Sequence, residues 1–219
     1  MERINTVETF TPDNLFGGSD IPAMTKVVTL VSGAGDLARG TVLGKITKGS
    51  ATAAAKSGGN AANTGALTMD ATTPVLAGAK VGVYTVRCIT AATNGGTFRV
   101  TDPEGFVLGD VAVGATFAND IKFAIADGTQ DFIVGEGFDI TVAAGSGYYK
   151  TVNSANVDGS NVAECILAAD TNATSAAVAA LVYVTGQFNT EALTFGGSDD
   201  AADHREALHL RGIILTTEQ

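Results

Sequence analysis

Apolar and polar residues alternate at short range along much of this chain, and Gly, Asn and Asp repeatedly cut the alternation. In residues 120–126 (DIKFAIA), Ile121, Phe123 and Ile125 fall to one side, which is the period-two signature of a half-buried strand. Similar runs occupy 81–90 (VGVYTVRCIT), 96–100 (GTFRV), 106–108, 131–134 and 137–143 (GFDITVA). The separators Asn94-Gly95-Gly96, Asp102-Pro103-Glu104-Gly105 and Asp127-Gly128 supply the positive or pre-set φ that tight turns need. These short strands predict a small, Ig-like β-sandwich. Its apolar set is Tyr84, Val86, Phe98, Phe117, Phe123, Phe132 and Phe138, which would suffice for an independent core.

The segments around this pattern differ in kind. Residues 48–66 (KGSATAAAKSGGNAANTGA) hold only Gly, Ala, Ser, Thr, Asn and Lys, and read as a flexible linker. A shorter small-residue stretch, 143–147 (AAGSG), closes the other side. With residues 58–146 set aside, the two limbs rejoin sensibly. Strand-like 41–47 leads to Tyr148-Tyr149-Lys150, to 162–168 (VAECILA) and then to 176–186 (AAVAALVYVTG), whose valines outweigh its alanines in favour of a buried strand. A short helix follows, capped by Ser198 or Asp199, with Asp199, Asp200 and Asp203 at its positive N-terminal end and Gly212 stopping it. Residues 212–215 (GIIL) form a last strand. The expected fold class is therefore mainly β, an α+β core with a short C-terminal helix, interrupted by an inserted β-sandwich. The expected domains are an N-terminal arm (1–21), a discontinuous core (22–57 plus 147–219) and the insert (58–146).

Composition adds a need for partners. The 219 residues are 45% hydrophobic but only 6% aromatic, with no Trp and 27 Gly, so a core built from them gains little transfer energy per residue. Oligomerisation would supply the missing burial. The net charge of −10 lacks the cationic footprint that nucleic acid or an anionic membrane requires. The N-terminus (MERINTVETFTPDNL) has polar and charged residues where a secretory signal needs an apolar run, and no run approaches the ~18 residues of a membrane span. Synthesis and use without secretion are expected.

Candidate chemistry is sparse. Residues 30–47 (LVSGAGDLARGTVLGKIT) have nearly the glycine spacing of a dinucleotide loop. Yet Thr41, Val42, Leu43 and Gly44 are poor helix material after Gly40, and Asp36 would repel phosphates, so a turn between strands is expected. His204 and His209 are five apart rather than four, on different helix faces, and read as solvated helix residues rather than zinc ligands. Cys88 and Cys165 are far apart and have no His beside them, and no Ser sits in a nucleophile-elbow setting, so neither a disulfide nor an enzyme is expected. Asp102, Asp110, Asp120, Asp127 and Asp131 in the insert are candidates for a calcium site, but Asp is also the usual turn residue and no EF-hand spacing is present. Asn172-Ala173-Thr174 matches a glycosylation acceptor that means little without secretion. No cofactor or metal is expected.

Five stretches, in order and from both ends of the chain, carry a resemblance: VETFTPDNL, LARGTVLGKIT, DGSNVAECILAADTNAT, VYVTGQFNTEALTF and LHLRGIILTT. Together they resemble the head decoration proteins of tailed bacteriophages, of the lambda gpD type. The resemblance implies a compact, mostly β subunit that forms homotrimers and plugs three-fold and quasi-three-fold positions on the outer surface of the expanded head. There it clamps major capsid subunits against internal DNA pressure, after synthesis in the host cytoplasm. It further implies that the N-terminal arm adds a strand to the capsid, with Thr6, Val7, Glu8, Thr9, Phe10 and Thr11 as the capsid-binding residues. The insert departs from short members of the family; its expected roles are outward display, host-surface or glycan contact, or contact between trimers. The alternative reading is an adhesive or glycan-binding β-sandwich module of a phage structural protein.

Overall fold

A computed structural model describes residues 14–60 and 63–217. The first limb holds β1 (Met24–Leu30), β2 (Asp36–Leu37) and β3 (Val42–Lys45). Then come β4 (Lys48–Ala55), β5 (Ala66–Met69), β6 (Gly82–Ala92), β7 (Gly95–Thr101), β8 (Val107–Ala112), β9 (Thr116–Ala118), β10 (Lys122–Ala126), β11 (Gly137–Ala144) and β12 (Tyr149–Thr151). The last limb holds β13 (Ala163–Leu167), β14 (Thr171–Asn172), β15 (Val178–Asn189), the helix α1 (Ala201–His209) and β16 (Ile213–Thr216). The fold is mainly β with one short C-terminal helix. The chain divides into two compact units, Met1–Leu43 with Ala163–Gln219, and Gly44–Val162.

In the first unit β15 is the hub. Its first half pairs antiparallel with β1, Leu30 opposite Val178 and Val27 opposite Leu181. On its other side, Ile166 and Leu167 of β13 face Tyr183 and Val182. Its last residues pair parallel with β16, from Gly186 opposite Ile213 to Asn189 opposite Thr216. Leu30, Ile166, Leu167, Val182, Phe188 and Ile213 are fully buried around it. The Val-rich run at 176–186 thus forms a strand, since two-sided pairing and burial reward β-branched residues more than its alanines reward helix.

The glycine-rich stretch after β1 makes turns between short strands, with Gly33, Gly35 and Gly40 at positive φ and no helix after them. At Gly40 (φ +91°) an added Cβ would lie 2.5 Å from the Ala192 carbonyl, so both the backbone and the space demand glycine there. Asp200 caps α1, one or two residues after the expected position. Its carboxylate accepts from the Ala202 N–H, and the Asp203 carboxylate accepts in return from the Asp200 N–H. Gly212 (φ +80°) turns the chain out of the helix into β16.

The second unit has a five-stranded sheet in the order β4-β11-β6-β7-β8 and a three-stranded sheet in the order β5-β10-β9. Side chains from both meet in one core that contains all seven residues singled out from the sequence, together with Val100, Ile121, Ile125 and Ile140. Phe98, Phe132 and Phe138 form its aromatic centre, Phe98 edge-on to Phe132 at 4.9 Å between centroids.

Two local expectations are corrected. Residues 131–134 are loop rather than strand: Asp131 accepts from the Asn94 N–H and Phe132 alone turns into the core. The supposed linker at 48–66 begins as the strand β4, bonded along its length to β11 from Ala55 opposite Phe138 to Lys48 opposite Ala144. Backbone pairing needs no large side chain, and Ala51 and Ala53 still pack against the core. The following polar residues are latches. The Asn60 side chain both donates to and accepts from the Gly137 backbone, and Asn63 donates to the buried Glu136 carboxylate.

Candidate functional site

The candidate contact residues Thr6, Val7, Glu8, Thr9, Phe10 and Thr11 lie outside the described residues. What the structure fixes is the point from which they depart. Leu15 is buried and Phe16 bridges antiparallel to Phe188. The Asn189 N–H donates to the Leu15 carbonyl (2.9 Å), the Gly17 N–H donates to the Gln187 carbonyl (3.1 Å), and the Asn189 side chain donates to the Asn14 carbonyl (3.2 Å). Residues 14–17 therefore lie along the end of β15 like a short extra strand.

Ring contacts hold the same point. Phe16 stacks on Phe188 at 5.4 Å and meets Tyr183 edge-on at 5.3 Å, while the Arg39 guanidinium sits 5.8 Å from its ring centre. Gly17 allows the close approach: a Cβ there would lie 2.0 Å from Thr216 Oγ1, which donates to the Gly17 carbonyl. Sequence reasoning placed these residues inside a uniform arm. The signal it passed over is the apolar pair Leu15-Phe16 followed by Gly17-Gly18, after a polar stretch.

The candidate chemical groups are placed as follows. His209 is exposed, as expected, but His204 is buried, which corrects its reading as a solvated residue. His204 shares a helix face with the buried Leu208, one turn away. Its Nε2 bonds to the buried Asp199 carboxylate at 2.9 Å, and its ring stacks on Phe195 with planes 9° apart. Burial pushes the Cys165 thiol up to about 12 and raises that of Cys88, so both are protonated and poor nucleophiles at neutral pH. Among the described residues no group of three His, Cys, Asp or Glu side chains is arranged to hold a metal ion. The insert's five candidate aspartates are placed apart: Asp102 pairs with Lys80, Asp110 with Arg99 and Asp131 with the Asn94 N–H. Asp120 accepts from the Tyr84 hydroxyl at 3.5 Å, and Asp127 has a buried Oδ1 without a hydrogen bond among the described residues.

Residues 14–17 are thus rooted at the end of a central strand in a mainly-β chain. The chain belongs to the bacteriophage lambda head decoration protein D family, whose model matches residues 5–213. That family is a structural one of the phage head, so the chain is a capsid decoration protein of the virion rather than a member of an enzyme family. A search of the curated proteins and of the solved structures finds no significant match.

Proposed function

We propose that this chain is a cementing protein that binds as a homotrimer at three-fold and quasi-three-fold positions on the outside of the expanded head. There it holds neighbouring major capsid subunits together against internal DNA pressure. The observation that carries this reading is the family match across residues 5–213. The anchored root supports it. A segment meant to pull on a neighbour needs a fixed origin, and Leu15, Phe16 and the bonds to Gln187 and Asn189 provide one. Residues 6–11 then reach the capsid by strand addition, with Phe10 filling a pocket. Exposed Val27 and Leu181, directly opposed on β1 and β15, and exposed Met24 offer apolar surface of the kind a trimer buries. In this reading residues 58–146 are a β-sandwich inserted into the family core and displayed on the particle.

Two measurements test it. Sedimentation of the free protein reports the trimer, and a concentration-independent monomer overturns that part. Electron microscopy of decorated particles reports the position: density at three-fold sites of the head supports the reading, and density on tail structures overturns it.

A further inference from the structure

The strand β4 leaves one edge of its sheet open. It is an outer strand, bonded in its ladder only to β11. The Lys56 N–H donates to the Gly137 carbonyl, which fixes the parity of the pair. Lys56, Ala54 and Thr52 turn their backbone groups toward β11, and Ala51, Ala53 and Ala55 turn theirs outward. No described residue bonds to those outward groups.

Other outer strands are guarded. Asp110 of β8 is paired with Arg99, the Leu215 carbonyl of β16 takes the Arg205 guanidinium, and β5 and β9 are only four and three residues long. By contrast β4 is eight residues long, with no proline and no charge from Gly49 to Ala55, and the shift in its register with β11 lies between Lys48 and Ala51, so residues 51–55 pair without a bulge. Natural sheets block open edges with charges, prolines or bulges, and an edge without them is a template for another strand.

We propose that β4 is the pairing edge for a second copy of this chain. The two strands run antiparallel about a two-fold axis at Ala53, and their five-stranded sheets become continuous. Ala53 then faces Ala53 of the second copy and Ala51 faces Ala55, so all the outward N–H and C=O groups of these residues are satisfied.

The choice of a second copy rests on self-complementarity, which a two-fold interface requires. About Ala53 the strand is its own complement: Thr52 meets Ala54 on the solvent side, methyl meets methyl on the core side, and nothing larger than Thr intervenes. Charge points the same way. A chain of net charge −10 repels its copies over most of its surface, but this edge carries no acid. The lysines at its ends face groups of their own chain: Lys48 donates to the Ala77 carbonyl with Asp158 and Asp120 nearby, and Lys56 has Asp139 nearby. Pairing of one short strand buries well under the ~1,200–2,000 Å² of a stable complex, so the contact is weak between free chains. It strengthens when copies are held side by side, as a decoration role holds them.

The test uses the full chain carrying either Thr52→Cys or Ala54→Cys. In this register the two variant side chains meet across the axis as a non-hydrogen-bonded pair, with Cβ atoms about 4.5–5.5 Å apart, close to disulfide reach. The native thiols are buried and do not compete. Mild oxidation of a concentrated equimolar mixture is expected to give several-fold more disulfide-linked dimer than either variant alone. Adding Ala53→Pro to both chains should remove the excess. Proline deletes only an outward N–H that the free protein does not use, and a thermal melt checks that the fold is kept. Equal dimer in the mixture and in the single variants overturns the proposal, and so does an excess that survives Ala53→Pro in a folded protein. Neither result depends on the trimer, which sedimentation of the unmodified chain reports separately.

Discussion

Phe16 meets the Tyr183 ring edge-on, with centroids 5.3 Å apart and planes at 75°. This contact joins the root of the N-terminal segment to the centre of β15, so the segment departs from a fixed point. Phe16→Ala removes it together with the stacking on Phe188 and the Arg39 contact. Because Phe16 is half-buried, the expected cost is about 1–2 kcal/mol, below that of a fully buried Phe. The melting temperature should fall by roughly 2–8 °C for a chain of this size. Capsid occupancy should fall as well, because the segment's origin is loosened. Calorimetry and a decoration assay on expanded capsids check the pair, and a Phe16→Ala protein with normal stability would show that the ring does not anchor.

Phe10→Ala separates the segment from its root. Burial of a Phe on a partner is worth roughly 1.5–3 kcal/mol, so each segment should bind the capsid about 10- to 100-fold more weakly. Three segments acting together make the loss larger for a trimer. The melt of free protein should be unchanged. If the variant decorates capsids at full affinity, residues 6–11 are not the clamp.

Much of this fold was legible because its signals are local. Alternation in 120–126 places Ile121, Phe123 and Ile125 in the core, and the acid-rich stretch before 201 marks the helix start. What was not legible depends on contacts distant in sequence. β4 looks like a linker because its stability lies in backbone bonds to β11, which small residues allow but do not announce. Phe132 fills the core as its apolar character suggests, but from a loop fixed by the Asp131 bond to the distant Asn94 N–H rather than from the strand expected at 131–134. His204 is buried because Asp199 and Phe195 close over it, and the spacing of the two histidines carries no trace of that. The apolar pair Leu15-Phe16 stands out in the sequence, but what it packs on, the end of β15 at Gln187 and Asn189, lies far along the chain.

The His204–Asp199 pair is read as structural, and its removal should act on stability alone. His204→Ala deletes a buried ring, its stacking on Phe195 and a partner of a buried carboxylate. The expected loss is about 2–3 kcal/mol, or roughly 4–12 °C in melting temperature. Chelators should leave the native protein's melt unchanged, and zinc should not raise it. Stabilisation by zinc that His204→Ala abolishes would make the site a metal ligand instead.

Acid should weaken the second unit. For Asp158, burial pushes the carboxyl up, but Lys150 and the Ser160 hydroxyl and N–H outweigh it and hold it below its usual value. For Asp139, burial is likewise outweighed, by Arg87 and the Ser57 N–H. A carboxyl depressed in the folded state stabilises above its unfolded pKa of ~4, and that contribution is lost as pH falls through the lower folded values. The urea midpoint should therefore be flat from about pH 7 to 5 and fall below ~4. Asp158→Asn should lower the plateau and shallow the fall, which denaturation curves at several pH values would resolve. A variant with an unchanged pH profile would remove Asp158 from this account.

The pairing of β4 with β11 decides where the chain can be cut. A deletion of residues 58–146 removes β11 and leaves β4 with no ladder partner on either side. Its N–H and C=O groups would then depend on water or on another chain, and a strand without charge from Gly49 to Ala55 invites the latter. A deletion of residues 48–146 removes the orphan with its partner. The longer deletion should therefore give the more soluble protein, although it discards more sequence. Light scattering on the two proteins at matched concentration is the measurement, with aggregation expected of the first and a monodisperse species of the second. Equal behaviour would mean that β4 does not depend on β11 for protection. If the longer deletion alone aggregates, β4 belongs with the flanking limbs.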